Sequence, residues 1–386
     1  MKAVIIGGMA AGTSAAAKAK RSNPNMELTL YEKSGIVSFG GCGLPYYVGN
    51  LFDDPSRMIS RTPEQLIQSG INVKIQHEVT AVDPQNKKVT VKNLETGEVF
   101  SDSFDVLMIA SGSYPIMPPF KNKDLKNIFT FKTLQDGERI KTLIAESSIK
   151  NVTVIGAGFI GIELSDMMKH RGKNVRLIQL DSHVMPDALD EEFSELIEQE
   201  LVAKGISLHL SETVSGFEGD ASGGVSKVVT DKGSYDTDLV IVATGVRPNT
   251  AFLEGSGILM DKGAVVTNPY GQTNFPYIYA AGDSATIYHR VKDKQVYLPL
   301  ATGANKLGRI VGQNMAETDP EKLFAFEGSL GSACIQAISL EVGKTGLTEK
   351  EAKAMGLNYK SVMIKDKNQT DYCGNQYDIY IKIVYD

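Results

Sequence analysis

Short apolar runs that break at glycine recur along the chain. Residues 2–6 are apolar from Ala3 onward and stop at Gly7 and Gly8; small residues then predict a helix to about Arg21, and residues 28–32 read as a strand. The same order returns at Asn151: an apolar run to Ile155, a turn with Gly156, Gly158 and Gly161, a helix to about Arg171, then a strand over 174–179. Each copy is closed by an acid and an apolar run that ends in small residues, Asp105 to Gly112 in the first and Asp238 to Gly245 in the second. Alternating strand, turn, helix and strand predict an α/β fold with parallel sheets. After Gly245 the pattern returns to the first type, with a predicted strand ending at Gly282 and Asp283, so the second copy reads as an insertion into the first. From about Leu323 the pattern changes, with a helix expected over 348–355 and strands over 359–364 and 377–384. The expected units are residues 1–113 with 246–322, residues 114–245, and a smaller α+β unit over 323–386.

A chain of 386 residues exceeds what one core usually organises, in keeping with this division. Its net charge of −6 offers no cationic excess for nucleic acid or an anionic bilayer. The early turn at Gly7 leaves no room for a secretory apolar segment, and no later run is long enough to span a membrane; a cytoplasmic protein is expected. The three cysteines, Cys42, Cys334 and Cys373, are too few and too scattered for a disulfide scaffold or a zinc site.

Glycine turns between a strand and a helix admit a pyrophosphate to the backbone, where unpaired N–H groups and the helix dipole favour it. The second copy has the full set, Gly156, Gly158 and Gly161 with Phe159 and Ile160 between; the first has Gly7, Gly8, Ala10, Ala11 and Gly12, with Met9 in the middle glycine's place. Glu32, followed by Lys33, ends the first copy's next strand, where a carboxylate accepts the hydroxyls of an adenine ribose. In the second copy Gln179 stands there and Asp181 follows two residues on, with no Arg or Lys for a 2′-phosphate, which favours NADH over NADPH.

With Asp283 closing a strand and two glycine turns before it, the chain resembles the FAD-dependent pyridine nucleotide-disulfide oxidoreductases from residue 2 to its end. The resemblance implies two Rossmann-type domains, an NAD domain inserted in an FAD domain, followed by an interface domain. It also implies that Asp283 holds the ribityl chain of FAD, that Ser111, Gly112 and Ala301 line the FAD site, and that Gly245 lines the nicotinamide side. Residues 38–47 resemble the active-site segment of the single-cysteine branch, and most of all that of coenzyme A-disulfide reductases. Tyr47 stands where the dithiol branch has its second cysteine, so Cys42 works through a mixed disulfide, sulfenic acid or persulfide. A helix implied near Gly43 is expected to favour its thiolate.

By the same matching, Glu163 lies near the nicotinamide and Phe159 gates its stacking. Lys18, Arg21, Ser38, Asn305 and Arg309 surround coenzyme A, although Gly41 replaces a usual Asn. A histidine that serves peroxide chemistry in the first glycine turn of some relatives is missing from Met9, Ala10 and Ala11. The implied reaction passes electrons from NADH or NADPH through FAD to a mixed disulfide of Cys42 and coenzyme A, with persulfide or polysulfide as close variants. The alternatives are an NADH oxidase that reduces dioxygen through a Cys42 sulfenic acid and a redox-sensing flavoprotein. The interface domain implies a homodimer in which Tyr372 enters the partner's site; Cys373 beside it is either an inert substitution facing away or a thiol that approaches the partner's redox cysteine. Relatives continue past the position of Asp386, so this domain is expected to be incomplete.

Overall fold

The computed structural model describes residues 1–386. Both glycine turns follow the central strand of a five-stranded parallel sheet. The first sheet has the order Ile278–Ala280, Val106–Ile109, Lys2–Ile6, Glu27–Tyr31, Asn72–Lys74. The second runs Ser207–His209, Asn174–Ile178, Asn151–Ile155, Leu239–Val242, Ile128–Thr130. Their central strands are covered on both faces, which is why they read as unbroken apolar runs and not as alternating ones.

Eight helices accompany them: α1 (Ala10–Ser22), α2 (Leu44–Val48), α3 (Pro63–Gln68), α4 (Leu134–Ile144), α5 (Phe159–His170), α6 (Glu191–Ala203), α7 (Ala301–Met315) and α8 (Glu349–Ala354). The duplication extends further than the sequence pattern revealed. Before its closing strand each copy carries a three-stranded antiparallel meander, His77–Asp83, Lys88–Asn93 and Val99–Ser103 in the first and Val214–Gly219, Val225–Thr230 and Ser234–Asp236 in the second. The chain passes between the two sheets through one antiparallel strand pair, Ser113–Pro115 with Val246–Pro248.

Helices α1 and α7 approach through small residues. A Cβ on Gly308 would stand 2.6 Å from the Ala11 carbonyl oxygen, and one on Gly312 would stand 2.3 Å from that of Ala15. This contact fixes the helix that begins at the first glycine turn against the helix that follows Asp283.

Beyond α7 the third unit contains the pair Ala333–Ala337 and Leu340–Lys344, then α8, then a long hairpin of Lys360–Lys367 and Asp378–Tyr385. The expected helix and both expected strands are present within a few residues, whereas the first of these hairpins had no sequence signal of its own. The long hairpin is tied down by Lys382, whose side chain is 7% exposed and meets Asp190 at 3.2 Å, Glu192 at 2.7 Å and Glu349 at 2.6 Å. One ammonium thus answers three carboxylates, and Asp190 also accepts the first backbone N–H groups of α8, from Glu349 and Lys350.

Candidate active site

One cavity of about 2160 Å³ is lined by both glycine turns, by Cys42 and by Asp283. Of the positions singled out in the sequence, its wall includes Gly7, Ala10, Ala11, Glu32, Lys33, Cys42, Ser111, Gly112, Gly156, Gly158, Phe159, Ile160, Glu163, Gln179, Asp181, Gly245, Asp283 and Ala301. Gly8, Gly12 and Gly161 stand just behind it as packing positions. A Cβ on Gly12 would fall 1.9 Å from the Gly7 oxygen, and one on Gly161 would fall 1.8 Å from the Gly156 oxygen.

The turns themselves are made the same way. Gly7 at φ +102° and Gly156 at φ +101° adopt the left-handed region, each pressed against the carbonyl that ends its closing strand, Ala110 or Ala243. The position after the next strand then pins each turn: Gly8 N–H donates to Glu32 Oε2 at 2.7 Å, and Ala157 N–H donates to Gln179 Oε1 at 2.8 Å. Met9 and Gly158 cap α1 and α5 with nearly the same extended backbone, so the first copy tolerates a side chain where the second has glycine. That side chain lines the cavity.

Cys42 is exposed to the cleft in the short 3₁₀ turn Gly41–Gly43 that leads into α2. The expectation of a thiolate favoured by a helix terminus is not met by the protein's own groups. Burial by the dense surroundings and then the charge of Glu163 push the thiol above the ordinary cysteine range, and the Cys42 backbone N–H that opposes them is outweighed. A turn of this kind followed by five helical residues has too short a dipole to win. Glu163 is itself raised by burial, which the Tyr46 hydroxyl resists by donating to its Oε1 at 3.1 Å. Burial and Glu163 push the Tyr46 phenol up to about 12, so it remains a neutral donor.

This arrangement gives a signed expectation. Glu163→Gln removes the charge that opposes the thiolate, so the pH profile for alkylation of Cys42 moves to lower pH, while burial keeps it above that of an ordinary cysteine. Iodoacetamide labelling in a background lacking Cys334 and Cys373 measures it. An unmoved profile, or one moved to higher pH, contradicts this reading.

Across the cavity Asp283 Oδ2 accepts from Ser113 Oγ at 2.8 Å and from Lys132 Nζ at 3.2 Å. The Tyr297 hydroxyl lies buried beside them without a well-formed hydrogen bond, and burial together with Asp283 holds its phenol far above the ordinary tyrosine range against a weak contact with Ser113. A buried donor without an acceptor is costly and points to a group that belongs in the cavity. With two left-handed glycine cradles, a pinned carboxylate at Glu32 and this orphaned hydroxyl, the cavity fits a flavin dinucleotide and a nicotinamide dinucleotide.

Tyr46, Ser113, Lys132 and Tyr297 were not singled out from sequence, nor was Cys334, which lines the same cavity from the third unit. Only Tyr46 had a local signal, one helical turn after Cys42.

The remaining positions gather elsewhere. Lys18 and Arg21 on α1 and Asn305 and Arg309 on α7 lie along the seam of these helices, bracketed by hydrogen bonds from Ser14 to Asn305 at 2.8 Å and from Ser22 to Gln313 at 3.2 Å. None of the three cations forms an ion pair. Ser38, in a left-handed conformation at φ 54°, bonds its N–H to the Gly8 oxygen and so joins the redox segment to the first turn. Tyr372 is 89% exposed at the tip of the long hairpin, with Cys373 beside it, and neither lines the cavity. No group of side chains in the chain has the makings of a metal site, and no helix is long and apolar enough to cross a membrane.

A family model described as pyridine nucleotide-disulphide oxidoreductase matches residues 1–308. An NADH oxidase of Enterococcus faecalis is 35% identical over 386 residues, which cover all of this chain and 85% of that protein. An NAD(P)H coenzyme A polysulfide/persulfide reductase of Pyrococcus horikoshii is 36% identical over 387 residues, covering all of this chain and 84% of that protein. Among solved structures, the water-forming NADH oxidase of Lactobacillus brevis bound to NADH superposes with a TM-score of 0.94 at 34% identity, over all of this chain and 84% of its own.

Proposed function

Since the chain belongs to the pyridine nucleotide-disulphide oxidoreductase family and is an NAD(P)H-dependent flavin oxidoreductase, we propose that it reduces a small disulfide, coenzyme A disulfide or a related persulfide or polysulfide, through Cys42 as its single redox cysteine. The observation that carries this reading is the position of Cys42, exposed in the one cavity that both glycine turns line, with Tyr47 buried where a second cysteine would stand.

Two dinucleotide sites are assigned on this reading. The FAD site comprises Gly7, Gly8, Ala10, Ala11, Gly12, Glu32, Lys33, Ser111, Gly112, Asp283 and Ala301, within residues 1–113 and 246–322. The NAD(P)H site comprises Gly156, Gly158, Phe159, Ile160, Gly161, Gln179, Asp181 and Gly245, within 114–245. FAD, when bound, accepts a hydride from NAD(P)H and returns an electron pair to sulfur.

The chain's own part is to hold and protonate. Asp283 offers its unengaged Oδ1 to a hydroxyl donor, Lys132 and Ser113 steady that carboxylate, and Cys42 carries the exchanging sulfur. Glu163, raised above the ordinary carboxylate range and the acid whose charge acts most on the thiol, is assigned to take and return the sulfur's proton. The unpaired Lys18, Arg21 and Arg309, with Asn305 and Ser38, supply the cationic and polar groups that the phosphates of coenzyme A require. Tyr372 is assigned to the active site of a second copy in a homodimer.

The test is anaerobic turnover of coenzyme A disulfide by NADH, set against NADH-dependent oxygen uptake. Thiol release faster than oxygen uptake supports the proposal. Oxygen uptake with negligible thiol release replaces it with the alternative reading, reduction of dioxygen through a Cys42 sulfenic acid; NADH oxidase is the name the Enterococcus faecalis relative bears.

A further inference from the structure

Ser207–His209 is the edge strand of the second sheet and pairs only with Asn174–Ile178. Side chains alternate along a strand, so Leu208 packs against the core while Ser207 and His209 share the opposite face. On that face the Ser207 hydroxyl meets His209 Nε2 at 2.9 Å, and His209 Nδ1 meets Glu212 Oε2 at 3.0 Å. Glu212 is 3% exposed, and its other oxygen accepts from the Thr230 hydroxyl at 2.6 Å. A carboxylate only accepts, so the ring proton belongs on Nδ1 and the Nε2 lone pair is left to accept from the serine hydroxyl. The order is that of a nucleophile, its base and the acid that orients the base.

The fold does not need this serine. Ser207 and His209 stand two residues apart on one strand, so their hydrogen bond fastens no two elements together; Glu212 does the fastening, through Thr230 of the meander strand Val225–Thr230. Ser207 is exposed, and reagents can reach it. Arg176 stands directly across from it in the strand register, so its side chain rises from the same face. Its guanidinium lies 4.4 Å from the centre of the Tyr235 ring, which meets His209 edge-on at 4.7 Å between centroids, and its buried Nε has no hydrogen-bond partner. His209 turns its carbonyl inward to the Gln179 N–H at 2.8 Å, so the N–H of Leu208 points off the open edge of the sheet. A cation and an unpaired donor thus flank the hydroxyl.

We propose that Ser207, His209 and Glu212 form a second catalytic centre, separate from the redox site, that hydrolyses small carboxylic esters. Ser207 Oγ bonds to the carbonyl carbon as its proton passes to His209 Nε2; the bond from that carbon to the leaving oxygen then breaks, and the departing alcohol takes the proton. Water completes the cycle. It gives a proton to the same nitrogen as its oxygen bonds to the acyl carbon, and that proton returns to Ser207 as the acid leaves. The charge that develops on the carbonyl oxygen is answered by Arg176 and the Leu208 N–H. No electron changes hands, so the activity needs neither flavin nor nicotinamide.

The test is reaction of the FAD-loaded protein with a fluorophosphonate, the modified residue being located by mass spectrometry, together with hydrolysis of p-nitrophenyl acetate. Ser207 is expected to carry the label. Ser207→Ala should remove that label and the protein-dependent ester hydrolysis, His209→Ala should slow both by about a hundredfold or more, as loss of a general base does, and Glu212→Gln by about tenfold or more. NADH oxidation by Ser207→Ala and His209→Ala should stay at the wild-type level, which shows that both are folded. Should His209→Ala lose its flavin, His209→Gln, which keeps a side chain able to bond Glu212, takes its place. No label on Ser207 in the wild type, labelling at an unchanged rate without the imidazole, or ester hydrolysis unmoved by Ser207→Ala would each overturn the proposal.

Discussion

Cys42→Ser is expected to abolish reduction of coenzyme A disulfide, with a loss of about a thousandfold or more, while the protein keeps its FAD. Serine leaves the shape of the turn intact but cannot form a mixed disulfide, and loss of an essential nucleophile typically costs several orders of magnitude. Flavin retention follows because Gly7, Glu32 and Asp283 are untouched. Thiol release measured beside the flavin-to-protein absorbance ratio checks both halves of the statement. Retention of more than about a tenth of the turnover rules out Cys42 as the redox residue, and Cys334→Ser, at the other cysteine of this wall, serves as the control.

Gly312→Leu should strongly destabilise the fold. Its Cβ would stand 2.3 Å from the Ala15 carbonyl oxygen and 2.7 Å from the Ala15 Cα, backbone atoms of α1 that cannot rotate aside. The helices must therefore separate, at a cost of about 3 kcal/mol or more, the upper range for overpacking. Because α1 opens at the first glycine turn, flavin affinity should fall with it. Gly343→Leu is the matched comparison, since its Cβ would meet nothing nearer than 3.7 Å. Equal melting temperatures for the two variants would show that the seam yields more easily than this geometry allows.

The parts of the molecule that were legible in the sequence are those with local causes. Apolar runs stopped by glycine announce buried parallel strands and the turns that follow them, and Glu32 announces itself by its place at a strand end. The two meanders were not legible, because their strands keep one face exposed and so have no apolar run long enough to register. Contacts across long stretches of chain were equally hidden. Nothing near Lys132 in sequence points to Asp283, 151 positions away. The surroundings of the Cys42 thiol were hidden for the same reason: a local helix signal argued for the thiolate, whereas burial and Glu163, which only the folded chain brings near, push its pKa the other way. Gln179 was read as the lack of an acid, and only its hydrogen bonds reveal that it pins the second turn and donates to Asp181.

Helix α2 follows Cys42 directly, yet it packs into the other half of the molecule. Leu44, Tyr47 and Val48 share a core with Ile140 of α4 and Ile162 of α5, and a Cβ on Gly137 would strike Leu44 at 2.5 Å. At the opposite end of the segment, Ser38 is bonded to Gly8 of the first half. Cys42 therefore sits in a five-residue bridge, 39–43, held at one end to each half of the molecule and steadied between them by the Phe39–Ile59 pairing and by the Gly40 N–H, which donates to the Met58 oxygen at 2.7 Å. Cys42 is thus the splice between the two halves: a change that loosens the packing of α2 on α4 and α5 reaches the sulfur as directly as one in the first glycine turn.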